Sequence, residues 1–130
     1  MTAPLPEGVV AFVKRDCPTC ELVVPVLDAL RSRGLTLTVY SQDDPGFPSA
    51  LDPVDDTQLA VSYHHAIETV PTLIRVENGA EVARTEGWFR PAWEKLTGVA
   101  ELGLDLPELR PGCGSLSVDP NLVDELRVRF

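Results

Sequence analysis

Val9-Val10-Ala11-Phe12-Val13-Lys14-Arg15-Asp16-Cys17-Pro18-Thr19-Cys20 is the stretch whose reading decides how this chain folds. The run Val9–Val13 is continuously apolar and rich in β-branched side chains, which suits a strand buried on both faces. Lys14-Arg15-Asp16 is a polar turn. Asp16 has the short polar side chain of a helix N-cap, and Pro18 fits a first helical turn, where a missing N–H costs nothing. From Thr19 to about Arg33 the apolar positions Val23, Val26, Leu27 and Leu30 share one helical face. Pro25 stands inside that helix and predicts a kink. Gly34 is the stop signal. Two cysteines three apart thus fall where a buried strand meets a helix. Taken alone, they fit redox chemistry, half of a metal site or an inert pair.

Outward from this stretch, Leu35–Tyr40 alternates and predicts a second strand. Residues 41–56 carry Pro45, Pro48, Pro53, Gly46 and five aspartates (Asp43, Asp44, Asp52, Asp55, Asp56), and read mostly as a solvated loop. A helix is expected over about Thr57–His64 and a third strand over Thr72–Val76. Asn78-Gly79 is a hairpin signal, with Glu81–Thr85 returning antiparallel. Pro91–Thr97 predicts a helix with Ala92, Trp93 and Leu96 on one side. The order is β-α-β-α-β-β-α: an α/β fold with a four-stranded mixed sheet flanked by helices. Residues 1–7 read as a flexible lead-in. Residues 1–99 read as one domain and 100–130 as a C-terminal extension, with a turn at Pro111-Gly-Cys-Gly-Ser and a short amphipathic element over Asn121–Phe130.

Composition narrows the function. The chain has 130 residues, 44% of them hydrophobic, which suits one core. Its net charge of -9 disfavours nucleic acid and anionic membranes as partners. No apolar run approaches the roughly 20 residues of a spanning helix, and the N-terminus does not read as a signal peptide. Three cysteines are too few and too odd for a disulfide framework. A C-x-x-C in such a chain points to redox or metal chemistry in a reducing, cytoplasmic compartment. A zinc site needs four ligands and there is no second C-x-x-C, although two thiolates can hold a soft ion. His64-His65 read as helix-end surface residues, and the aspartates lack the spacing of a calcium loop.

Further residues give the motif a family likeness. Cys17-Pro18-Thr19-Cys20 after a buried strand, Pro25 five residues on, Val70-Pro71-Thr72, and Asn78-Gly79 followed by Gly87 together resemble the thioredoxin-like family over about residues 8–98. The likeness implies a thioredoxin-like fold, a redox-active pair and a cis proline at Pro71 facing it. Thioredoxins carry Trp before the first cysteine and Gly-Pro between the two; here stand Asp16 and Pro18-Thr19. Cys-Pro-x-Cys is nearer to glutaredoxins, but Glu86-Gly87-Trp88 lacks their glutathione-holding glycines and aspartate. Ala11 stands where thioredoxins bury an aspartate that assists proton transfer. The acidic loop 41–56 is an insertion relative to the family.

The chemistry that follows is thiol–disulfide exchange on a protein or small-molecule disulfide, with no cofactor. Cys17, at the helix N-terminus and near Lys14 and Arg15, is expected to be the attacking thiolate. Cys20, one turn on, is expected to resolve the mixed disulfide. The likeness assigns substrate contact to Pro18, Thr19, Val70, Pro71 and Gly87, with the Val70 backbone presented to an extended chain. Cys113, flanked by glycines, reads as a mobile, exposed thiol that is either unpaired or an accessory redox partner. The rival reading is a non-enzymatic thioredoxin-like module that docks a partner, or assembles, through residues 100–130, or that handles metal with its two thiolates.

Overall fold

The computed structural model describes residues 4–130. Of the N-terminal lead-in, residues 1–3 lie outside the described part. The rest is tied down rather than loose: Leu5 is buried, and the Glu7 carboxylate accepts the N–H groups of Asn78 and Gly79 at 2.8 and 3.1 Å.

The first strand, β1 (Gly8–Val13), lies at the centre of the molecule. Helix α1 (Pro18–Ser32) follows, then β2 (Leu37–Ser41) and β3 (Val54–Asp55). After α2 (Ala60–His64) come β4 (Thr69–Val70), β5 (Thr72–Glu77), β6 (Ala80–Glu86) and β7 (Trp88–Phe89). Helix α3 (Arg90–Thr97) leads into β8 (Leu109–Arg110), β9 (Cys113–Gly114) and α4 (Val123–Arg129). The main sheet runs β3-β2-β1-β5-β6, with β1 parallel to β2 and antiparallel to β5. Val9 to Val13 are all buried, as a strand flanked on both sides and covered on both faces must be.

The sheet has five strands where the sequence predicts four. The added strand is β3, which pairs Val54 with Tyr40 and Asp55 with Ser41. It lies inside the acidic loop, where Pro53 and the aspartates mask so short a strand. The loop is also less solvated than its composition implies. Asp56 is buried and its carboxylate accepts the N–H of Val61 at 3.0 Å, and the N–H and hydroxyl of Ser62 at 2.9 and 2.5 Å. It acts as a cap for α2, whose start shifts to Ala60 from the predicted Thr57.

Val23, Val26, Leu27 and Leu30 bury one face of α1, as their spacing requires. Trp88 and Trp93 are fully buried edge to face, with ring centroids 5.1 Å apart. Their indole N–H groups reach the carbonyls of Pro107 and Gly87 at 2.6 and 2.9 Å. Asn78 and Gly79 both have positive φ, as a two-residue hairpin turn demands. Among the described residues, no helix is long and apolar enough to cross a membrane.

The C-terminal extension packs back on the body. Leu102, Ser115, Ser117 and Leu126 are buried. The Arg90 guanidinium donates to the carbonyls of Leu102, Gly103 and Leu106 at 2.7–3.0 Å. The rings of His64 and Phe130 lie 5.3 Å apart, so the helix-end histidine meets the chain's last residue.

Candidate functional site

The strand-to-helix turn brings Cys17 to the N-cap of α1, with extended backbone at φ -158° and ψ 109°. Asp16, the N-cap expected from sequence, lies one residue outside. Its N–H and that of Arg15 are held instead by the Asp43 carboxylate, at 2.9 and 2.6 Å. The cap is therefore a sulfur: Cys17 Sγ accepts the N–H of Cys20 at 3.2 Å. In its thiol form Cys17 donates to the Val70 carbonyl, 3.6 Å away. The Val70–Pro71 peptide is cis, as is Phe47–Pro48. No disulfide joins Cys17, Cys20 and Cys113 in this structure.

Cys17 and Cys20 are driven in opposite directions. The Cys17 thiol is lowered to about 6. The largest cause is the hydrogen bond from the Cys20 thiol; burial opposes it, and the Cys113 thiol and the N–H groups of Cys20 and Thr19 add to it. Burial, and then the neighbouring Cys17, push Cys20 up. The charges of Lys14 and Arg15 do not figure among the main causes that lower Cys17. The Lys14 ammonium donates to the Gly114 carbonyl at 2.8 Å, and Arg15 pairs with Asp44 at 2.8 Å. Ala11 is fully buried and offers no ionisable group beneath the thiols.

The residues assigned to substrate contact come together, but a segment of the chain itself lies across them. Strand β8 pairs with β7, and β9 pairs antiparallel with β4, placing Cys113 opposite Val70. Between them, the Pro111 carbonyl accepts the Thr19 hydroxyl at 2.6 Å. Gly112 comes so close that a Cβ there would stand 2.5 Å from the Val70 carbonyl oxygen. Gly87, with φ +70°, leaves the matching room on the other side, where a Cβ would stand 3.0 Å from the Gly112 nitrogen. Its N–H donates to the Pro71 carbonyl at 2.8 Å. Under this strap Cys17 is only 1% exposed. Pro18 alone of the predicted contact residues stays exposed.

Cys113 is thus neither mobile nor in a free tail. It is half-buried in a strand, opposite Val70, whose carbonyl oxygen lies 3.6 Å from Cys17 Sγ. Burial and then Cys17 raise it, while the Lys14 charge acts the other way. Gln42 is the residue that sequence reasoning missed. Its buried amide donates to the hydroxyls of Ser62 and Ser115 at 2.9 and 2.7 Å, and accepts the Leu116 N–H at 2.9 Å. It staples the strap to β2's end. The one sequence signal was an uncharged amide at the head of an acidic run.

Sheet order, with β1 parallel to β2 and antiparallel to β5, and the C-x-x-C at the N-terminus of α1 define a thioredoxin-like fold. No family model and no curated protein matches the chain. Among solved structures it is similar to the reduced thioredoxin pre-protein of Schistosoma mansoni, with 22% identity and a TM-score of 0.46. That similarity covers 61% of this chain and 64% of the other, less than two thirds of its length.

Proposed function

We propose that the chain is a thiol–disulfide oxidoreductase acting on protein or small-molecule disulfides. The Cys17 thiolate attacks one sulfur of the substrate, whose S–S bond breaks and whose first thiolate leaves and takes a proton from water. Cys20 gives up its proton and attacks Cys17 Sγ, which breaks the mixed disulfide and releases the second substrate thiol. The substrate gains two electrons and the protein keeps a Cys17–Cys20 disulfide, which an external dithiol reduces. Because the electrons travel in sulfur–sulfur bonds, the reaction needs no cofactor. A reducing compartment such as the cytoplasm suits it.

The observation that carries this reading is Cys17 Sγ at the N-cap of α1, accepting the N–H of a buried Cys20 at 3.2 Å. A sulfur at a helix N-cap is lowered to about 6, while its neighbour one turn deeper is held protonated. The second reading, a binding module, draws on the strap, which closes the groove in the resting molecule.

Insulin-disulfide reduction, followed by turbidity in the presence of a thiol donor, separates the two. The oxidoreductase is expected to shorten the lag and raise the rate above the donor alone. A rate equal to that of the donor alone would leave the binding module standing.

A further inference from the structure

The strap that closes the groove makes the contacts an extended substrate would make. Peptides commonly dock by adding a strand to an unpaired backbone edge. The edge beside Cys17 is β4, and β9 already fills it, with Val70 opposite Cys113 and Thr69 opposite Gly114. Thr19 holds the Pro111 carbonyl, Lys14 holds the Gly114 carbonyl, and the Ser115 N–H reaches the Glu68 carbonyl at 3.0 Å. The occupant therefore has a fixed register, and that register sets a thiol against the nucleophile.

Resting on the oxidoreductase reading above, we propose that Cys113 is a third redox thiol, which resolves mixed disulfides on Cys17 by forming a Cys17–Cys113 disulfide. Both thiols meet at Val70: Cys17 Sγ lies 3.6 Å from the Val70 carbonyl oxygen, and Cys113 is the residue paired with Val70 across β4 and β9. The step balances. After Cys17 has captured a disulfide R–S–S–R and released one RSH, the Cys113 thiolate attacks Cys17 Sγ. The Cys17–SR bond breaks, the Cys17–Cys113 bond forms, and RS⁻ takes up the proton that Cys113 lost. The Cys20 thiolate can then attack Cys17 Sγ, forming Cys17–Cys20 and returning Cys113 to a thiol. The sum is one disulfide reduced and the protein oxidised by two electrons.

The electrostatics favour this timing. The Cys17 charge is one of the causes that raise Cys113. That charge is gone once Cys17 is bonded to a substrate sulfur, whereas the Lys14 charge that favours the Cys113 thiolate remains. A Cys17–Cys113 bond also fastens the strap over the groove, so this oxidised form is capped against a second substrate.

The test uses reduced full-length Cys20→Ser and Cys20→Ala proteins, with the corresponding double variants carrying Cys113→Ser. Each is treated with glutathione disulfide, quenched in acid, and read by intact mass and peptide mapping. The single variants are expected to lose glutathione and show a peptide crosslinked through Cys17 and Cys113. The double variants are expected to keep glutathione on Cys17, with an adduct lifetime at least about tenfold longer. Equal adduct lifetimes in single and double variants, without the crosslink, would overturn the role of Cys113 while leaving Cys17 a nucleophile. Absence of any adduct or crosslink at Cys17 in every variant would overturn both readings. Should the Cys20 variants fail to fold, oxidised wild type is mapped for the same crosslink. Because Cys20 later displaces Cys113, the samples are quenched in acid at early times after glutathione disulfide is added, and absence of a transient Cys17–Cys113 crosslink before Cys17–Cys20 forms would equally reject the role.

Discussion

Cys17→Ser is expected to reduce insulin disulfides no faster than the thiol donor alone, while Cys20→Ser retains the first attack. A serine hydroxyl is almost wholly protonated near neutral pH and does not attack sulfur, so the substitution removes the reaction rather than slowing it. Wild-type Cys17, lowered to about 6, is mostly thiolate at pH 7. An ordinary thiol at the reference value of 9.0 is ionised to only about one part in a hundred there. That ionisation gain, roughly a hundredfold, is partly offset because nucleophilicity falls with basicity. Cys20 stays protonated and buried beneath Cys17, so it cannot substitute as the attacking group. Multiple turnover by Cys17→Ser at the wild-type rate would contradict this assignment.

Stability of the reduced protein is expected to rise with pH between 6 and 8, relative to Cys17→Ser. The sign follows from the direction of the shift. Cys17 is lowered in the fold from 9.0 to about 6, so across that window the unfolded chain binds more protons there than the native one. The contribution is complete above the unfolded value and is lost as pH falls through the folded one. Between pH 6 and 8 the linkage is on the order of 2 kcal/mol. Cys20 and Cys113 are raised, so both remain thiols in folded and unfolded chains over this range and add no slope. Urea unfolding under reducing conditions at several pH values reads the difference. A flat difference would mean that Cys17 is not ionised in the fold.

The sequence displays the centre of the fold and hides what covers it. Apolar continuity at Val9–Val13, the face formed by Val23, Val26, Leu27 and Leu30, and Asn78-Gly79 are local signals. Each is produced by residues that neighbour one another along the chain or along one helix. Val70-Pro71-Thr72 was legible through family likeness, since a cis bond leaves no periodic trace. The strap was not legible at all. Its strands are two residues long, too short for alternation, and glycine and proline around Cys113 imitate a loose turn. Its anchors lie far off in the chain, Thr19 to Pro111 and Gln42 to Ser115 among them, and no window of sequence contains both ends. The same holds for β3, which follows a proline and gains its strand character only from its partner, Tyr40 and Ser41. Cys17 rather than the expected Asp16 is the N-cap, and Asp43, 27 residues away, takes up the Asp16 N–H.

Every step of the proposed reaction starts from a Cys17 thiolate at neutral pH. The most direct test is the ultraviolet absorbance of thiolate, titrated in the reduced wild type and in Cys17→Ser. Absorbance reports ionisation without requiring a reagent to pass the strap. The difference between the two titrations should show one step with its midpoint at about 6. A midpoint near 9.0, the value of an unperturbed thiol, would contradict the account.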